Sequence, residues 1–224
     1  MVELGLRLLF GFGNPPIYIA DEEIGYLLAP NQKLRRMGNQ IAINEYSMRS
    51  PSLSTERSSA TLRILLLGDS VANGGWWTDQ EQTISVLTEK ELLSKNITFE
   101  EIEILNASAN SWGPRNQLAY LQRFGLFDTQ VIILLINTDD LFATAPTPLP
   151  VGNDRNYPAE KPPLALAEIY RRYLVRPKPV PGMAEVQKEG TALSVPSPTA
   201  LSTSSSLVPT LPICGKVKVT TCAA

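Results

Sequence analysis

Histidine is missing from all 224 residues, so the commonest general base at neutral pH is absent from any chemistry these residues carry. Only two cysteines occur, Cys214 and Cys222, at a spacing that matches neither a Cys-x-x-Cys redox pair nor a zinc knuckle. They fix no compartment. No His, Cys or carboxylate set stands at metal-ligand spacing, so neither a metal nor another cofactor is implied. Long runs of one kind are missing too. With 20 basic residues against 22 acidic ones and a net charge of -2, no basic stretch offers a footprint for nucleic acid or an anionic membrane. The apolar run Leu4-Gly5-Leu6-Arg7-Leu8-Leu9-Phe10 is interrupted by Arg7 and meets Asn14-Pro15-Pro16 before a spanning length is reached. Neither a signal peptide nor an integral membrane segment is expected, and a small-molecule partner is favoured.

What is present is a hydrophobic content of 43%, close to the globular norm and enough for one domain with a sizeable core. Residues 1–61 form a lead-in with few long periodic segments, a Pro15-Pro16 stop and an alternating Ile41-Ala42-Ile43-Asn44 strand candidate. In residues 62–175 the pattern becomes regular. Arg63-Ile64-Leu65-Leu66-Leu67 ends at Gly68 and fits a strand buried on both faces. Thr78-Asp79-Gln80-Glu81 has capping-box spacing ahead of a helix that carries Ile84, Val86, Leu87, Leu92 and Leu93. A second strand runs through Ile102 and Ile104, and a second helix starts at Pro114 and stops at Gly125. Val131-Ile132-Ile133-Leu134-Leu135-Ile136 is a third strand, and a further helix is expected over residues 164–174. Strand, helix, strand, helix, strand implies a parallel sheet with helices on its faces and a ligand site beyond the carboxyl ends of the strands. Residues 176–224 turn rich in Pro, Ser and Thr, with no charge from Gly190 to Gly215, and are expected to be disordered.

The three expected strand ends carry Gly68-Asp69-Ser70, Asn106-Ala107-Ser108 and Asn137-Thr138-Asp139-Asp140. A serine just past a buried strand, with a glycine permitting a tight turn, presents a hydroxyl to substrate and its own N–H to a developing oxyanion. Gly-Asp-Ser alone is also a common turn tripeptide. In context, however, Leu66-Leu67-Gly68-Asp69-Ser70-Val71-Ala72-Asn73-Gly74 resembles the first block of the SGNH/GDSL hydrolases, serine-dependent esterases and lipases with a flavodoxin-like, three-layer α/β sheet. Leu105-Asn106-Ala107-Ser108-Ala109-Asn110-Ser111-Trp112-Gly113 is similar to the second block, and Leu135-Ile136-Asn137-Thr138-Asp139-Asp140-Leu141 to the third. The lead-in from about residue 21, with Gly25-Tyr26, Pro30-Asn31 and Asn44, also resembles the segment before the catalytic domain in bacterial members, so the likeness covers about residues 21–174. It implies Ser70 as nucleophile toward a small-molecule acyl or acetyl ester. The oxyanion donors would be the Ser70 N–H, a second-block N–H at Ser108 and a third-block asparagine side chain.

Two positions depart from that pattern. Ser108 stands where glycine is usual, and Asp139 where asparagine is expected; an ionised carboxylate cannot donate, so Asn137 is the alternative donor. Asp139 and Asp140 equally suit a solvated strand-end turn. The family's Asp-x-x-His block has no counterpart, since histidine is absent and no aspartate follows Asp154. The shift in composition near Glu189 suggests truncation or an altered reading frame, and Val217-Lys218-Val219 is the one late strand candidate. Translating the downstream DNA in every frame tests this, and finding no Asp-x-x-His within about a domain's length would sink the idea. An ester hydrolase impaired by the missing base is the leading expectation, and a non-catalytic binding module of the same fold is the alternative. Nucleotide binding is disfavoured, because residues 68–74 carry neither Gly-x-Gly-x-x-Gly nor Gly-Lys-Ser/Thr.

Overall fold

A computed structural model describes residues 1–54, 56–95, 98–138, 140, 143, 145–176, 179, 180 and 182. Asp139, both cysteines, the expected disordered tail beyond residue 182 and the candidate strand at Val217 lie outside the described residues.

The chain is α/β. It opens with helix α1 (Val2–Phe10), closed by Gly11 in the left-handed region at φ 71, and continues into two antiparallel hairpins. These are β1 (Tyr18–Asp21) with β2 (Gly25–Leu28), and β3 (Gln32–Arg36) with β4 (Asn39–Ile43). The Asp21 carboxylate accepts the N–H groups of Glu23 and Ile24 and so closes the first turn locally. Next come β5 (Thr61–Gly68), the short helix α2 (Ser70–Asn73), α3 (Ile84–Ser94) and β6 (Glu101–Ser108). They are followed by α4 (Pro114–Phe124), β7 (Val131–Leu134) and α5 (Ala165–Ile169), which runs on into a π-helical turn at Tyr170–Leu174.

Strands β5, β6 and β7 form one parallel sheet in the order β6-β5-β7. The connection after β5 goes to one side and the next crosses back to the other, so the order reverses at β5, where α/β sheets open a crevice at their carboxyl ends. Gly68 pairs with Ser108 across one seam and Leu67 with Leu134 across the other.

Successive side chains of β5 point to opposite faces, and both faces are covered as the unbroken apolar run requires. Leu65 and Leu67, with Leu105 and Ala107 of β6, pack against Trp112, Tyr120 and the hairpin residues Tyr26, Leu28, Ile41 and Ile43. The lead-in therefore supplies one wall of the main core. Ile64 and Leu66 join Ile102, Ile104 and Ala72 on the opposite face, with Leu92 of α3 against them. Burying each such leucine contributes about 2 kcal/mol, so β5 is the best-anchored element. The outer edge of β6 is covered by the segment after β4, where Arg49 N–H donates to the Asn106 carbonyl at 2.9 Å and Ser50 Oγ accepts the Asn106 N–H at 2.8 Å. Strand β7 differs. It ends at Leu134 rather than Ile136, no described strand pairs with its outer edge, and Val131, Ile132 and Leu134 are exposed. No helix among the described residues is long and apolar enough to cross a membrane.

Candidate active site

Ser70 begins α2 immediately beyond the central strand. A Cβ on Gly68 would stand 2.7 Å from Ala72 Cβ and 3.2 Å from Leu135 Cβ, so glycine is what lets α2 start this close to the end of β5. Asp69 caps the helix, its Oδ1 accepting the Val71 N–H at 2.8 Å. The Ser70 carbonyl accepts from Gly74 N–H at 2.8 Å, and Gly74 ends the helix at φ 74. The backbone of Ser70 is thus fixed at both sides of a half-buried hydroxyl.

Beneath α2 lies a buried polar network. Asn73 Nδ2 donates to the Ser108 carbonyl at 3.0 Å, and Asn106 Nδ2 donates to the Ala72 carbonyl at 2.7 Å and to Ser85 Oγ at 3.2 Å. Ser108 Oγ donates to Asn106 Oδ1. Polar groups this deep need partners, and here the partners tie the ends of β5 and β6 together. Ser108 is 1% exposed and supports the helix of Ser70 from below; it lines neither of the cavities at Ser70.

Arg49, also 1% exposed, holds the loop that follows. Its guanidinium donates to the carbonyls of Asn73 at 2.6 Å, Thr78 at 2.5 Å and Gly75. Burial pushes its pKa down to about 10, against the attraction of Asp79. Asp79 itself is held below the usual carboxylate range by the backbone N–H of Gln40 at 2.7 Å and then that of Glu81 at 3.0 Å.

Asn137 reaches the site from the end of β7. Its Nδ2 donates to Asp69 Oδ2 at 2.8 Å, which orients the amide and bridges the ends of β5 and β7. Its own N–H donates to Asp140 Oδ2 at 2.8 Å. Ser70 and Asn137 line the same cavity, of about 520 Å³, bordered by the carboxylates Asp69, Asp140 and Asp154. A second cavity of about 330 Å³ meets it at Ser70, Ser111 and Tyr157 and is walled by Tyr18, Trp76 and Trp77.

Some of these residues have little or no signal in the local sequence. Ser111 sits at φ 59, a left-handed conformation that a serine seldom adopts, and its Oγ lies 2.9 Å from the Tyr157 hydroxyl. The hint at Ser111 is its place in a strand-end loop closed by Gly113, where a Cβ would stand 2.4 Å from Ala143 Cβ. Tyr157, 46 residues away, and the buried Arg49 are found only by folding the chain.

Chemically, the site offers a positioned hydroxyl, N–H donors at a strand end and carboxylates across a cavity. Among the described residues no side chain hydrogen-bonds Ser70 Oγ, and none of the described His, Cys, Asp and Glu side chains form a group of three able to hold a metal ion. Comparison with protein-family models, curated proteins and solved structures finds no match to this chain.

Proposed function

We propose that this chain is a serine-dependent hydrolase of carboxylic esters, acyl or acetyl, built on the flavodoxin-like sheet of the SGNH/GDSL hydrolases. The observation that carries the proposal is the position of Ser70, on the central strand's carboxyl end where two cavities meet. Support also comes from the strand order β6-β5-β7, which is the order in which a flavodoxin-like sheet begins, and from the meeting of Ser70 and Asn137 at one cleft.

In this reading Ser70 Oγ attacks the acyl carbon, its proton passes to water or to a cavity carboxylate, and the alcohol departs protonated. Water then hydrolyses the acyl-serine. The Ser70 N–H and the Asn137 amide are the oxyanion donors, while Ser108 serves by holding Asn73. Without histidine the hydroxyl has no strong base. Loss of a triad member lowers kcat by roughly 10⁴- to 10⁶-fold and leaves about 10³-fold over water, so a slow but Ser70-dependent rate is expected.

The second reading is a binding module that keeps the cleft without the chemistry. It is favoured by the absence of histidine from all 224 residues and of a described hydrogen bond to Ser70 Oγ. Hydrolysis of para-nitrophenyl acetate by the wild type and by Ser70→Ala separates the two, together with mass analysis after fluorophosphonate treatment. A Ser70-dependent rate and an adduct on Ser70 support the hydrolase. Equal rates with no adduct favour the binding module.

A further inference from the structure

Beside the aromatic cavity lies a third, of about 540 Å³, and the two share Pro15, Pro158 and Arg172. Arg155, Arg171, Arg172 and Arg176 line the third cavity, against Asp154, Glu160 and Glu168. Glu168 is engaged mainly by a residue outside the cavity. Its carboxylate pairs with the buried Arg36 and accepts the Gly13 N–H at 2.6 Å, so its charge is matched by a cation that does not line the cavity. Four guanidinium groups then face two carboxylates.

Arg172 is the member that reaches toward Ser70, and its donors are weakly used. Nε stands 3.6 Å from Glu168 Oε1, an ion pair shared with Arg36 but beyond hydrogen-bonding reach, Nη1 is 3.5 Å from Asn156 Oδ1, and Nη2 is 3.3 Å from the Arg155 carbonyl. The side chain is only 14% exposed, so water compensates little of this deficit. A guanidinium presents five N–H donors in a planar fork that fits a carboxylate or phosphate. Burial, and after it the nearby charge of Arg36, lowers the pKa of Arg172, and the Glu168 carboxylate opposes this only in part.

We infer that Arg172, backed by Arg155, Arg171 and Arg176, binds an anionic group of the molecule whose ester is presented to Ser70. The anion site stands on the arginine cluster alone; its identification as part of a substrate subsite rests on the hydrolase proposal. The shared aromatic cavity is at the small end of ligand pockets, so the anion and the ester carbonyl belong to one short molecule, such as a half-ester of a dicarboxylic acid or a phosphorylated acyl ester.

The test uses the full chain, Ser70→Ala and Arg172→Gln, each melted in the presence of inorganic phosphate or succinate. Esterase rates are compared for para-nitrophenyl acetate and its succinate half-ester counterpart. Expected are higher melting temperatures with one or both anions for the wild type and Ser70→Ala but not Arg172→Gln. The wild type should prefer the anionic ester by about tenfold in kcat/KM, as one charge-assisted contact allows, and Arg172→Gln should lose that preference. A larger shift with succinate assigns a carboxylate, and with phosphate a phosphoryl group. If Arg172→Gln does not melt cooperatively, the exposed pair Arg171→Gln/Arg176→Gln carries the same comparison. Arginine-dependent anion binding without hydrolysis would retain the anion site and remove the hydrolase reading. Ser70-dependent hydrolysis with neither an anion-induced shift nor an anionic preference would overturn the anion site alone.

Discussion

Replacing Arg49 by methionine keeps an apolar stem and removes every donor to the loop after α2. Three backbone carbonyls, of Asn73, Gly75 and Thr78, lose their partner at once. An acceptor left unpaired in a buried setting costs about 2 kcal/mol, so the gross loss is roughly 6 kcal/mol. Against it stands the relief of burying a charge. The pKa of Arg49 falls from the ordinary guanidinium range to about 10, a displacement worth about 3 kcal/mol to the neutral replacement. The net expectation is a destabilisation of about 3 kcal/mol, or about 6 to 12 °C in Tm for a chain of this size. Arg49→Lys keeps the charge and some of the donors and should fall between. Thermal unfolding followed by circular dichroism reads the shift, and proteolysis within residues 74–78 reads the loop. A methionine variant melting within about 2 °C of wild type, with the loop still resistant, would refute the assignment of the loop's order to Arg49.

Alkaline pH should unfold the protein steeply. Burial first, and neighbouring tyrosines after it, raise the phenols of Tyr18, Tyr26 and Tyr120 above the ordinary tyrosine range, so above about pH 10 the unfolded chain releases three protons that the native state keeps. Arg49 acts oppositely, because its folded pKa is depressed and the native state gives up that proton first. Arg172, also lowered, acts in the same sense as Arg49, so three losses against these gains leave at most about 2.7 kcal/mol of lost stability per pH unit between roughly pH 10 and 12, and melts across that range that stay flat would contradict it. Gly68→Ala should cost about 1 to 3 kcal/mol through overpacking against Ala72, and Gly68→Ala/Ala72→Gly should recover part of it. The readouts are Tm and the rate of fluorophosphonate labelling at Ser70; additive losses in the double variant would show that the two side chains do not compete for one space.

Where sequence signals are local, they foretell the fold closely. Pro114 and Gly125 bound α4 as expected, and the apolar run at residues 63–67 and the first four residues of the run at 131–136 form adjacent parallel strands. Where distant partners intervene, the local signal is overridden. Asp79 does cap, but only a single 3₁₀ turn, because its Oδ2 also takes the Gln40 N–H and Gln80 Oε1 takes that of Ala42; α3 begins after the extended Thr83. The helix expected over residues 164–174 keeps its span and changes pitch after Ile169. Three of the four hairpin strands escape a pattern search, since runs of four or five residues hold too few alternations to stand out. At the cleft, Ser70 and Asn137 stand at strand ends marked by motifs, whereas Arg49, Tyr157 and Arg172 are brought to it or to its loop by the fold from positions with no local mark.

The hydrogen bond from Asn137 to Asp69 joins the best-anchored strand of the sheet to its least covered one. Proteins open piecemeal, and an edge strand with exposed side chains releases at a lower free energy than a central strand buried on both faces. When β7 opens, Asp69 keeps its cap on α2 and Ser70 keeps its place, but the amide that faces the cleft departs. On the proposed function, heat is therefore expected to silence the site while most of the sheet is still folded, at a temperature set by the edge of the sheet and not by its core.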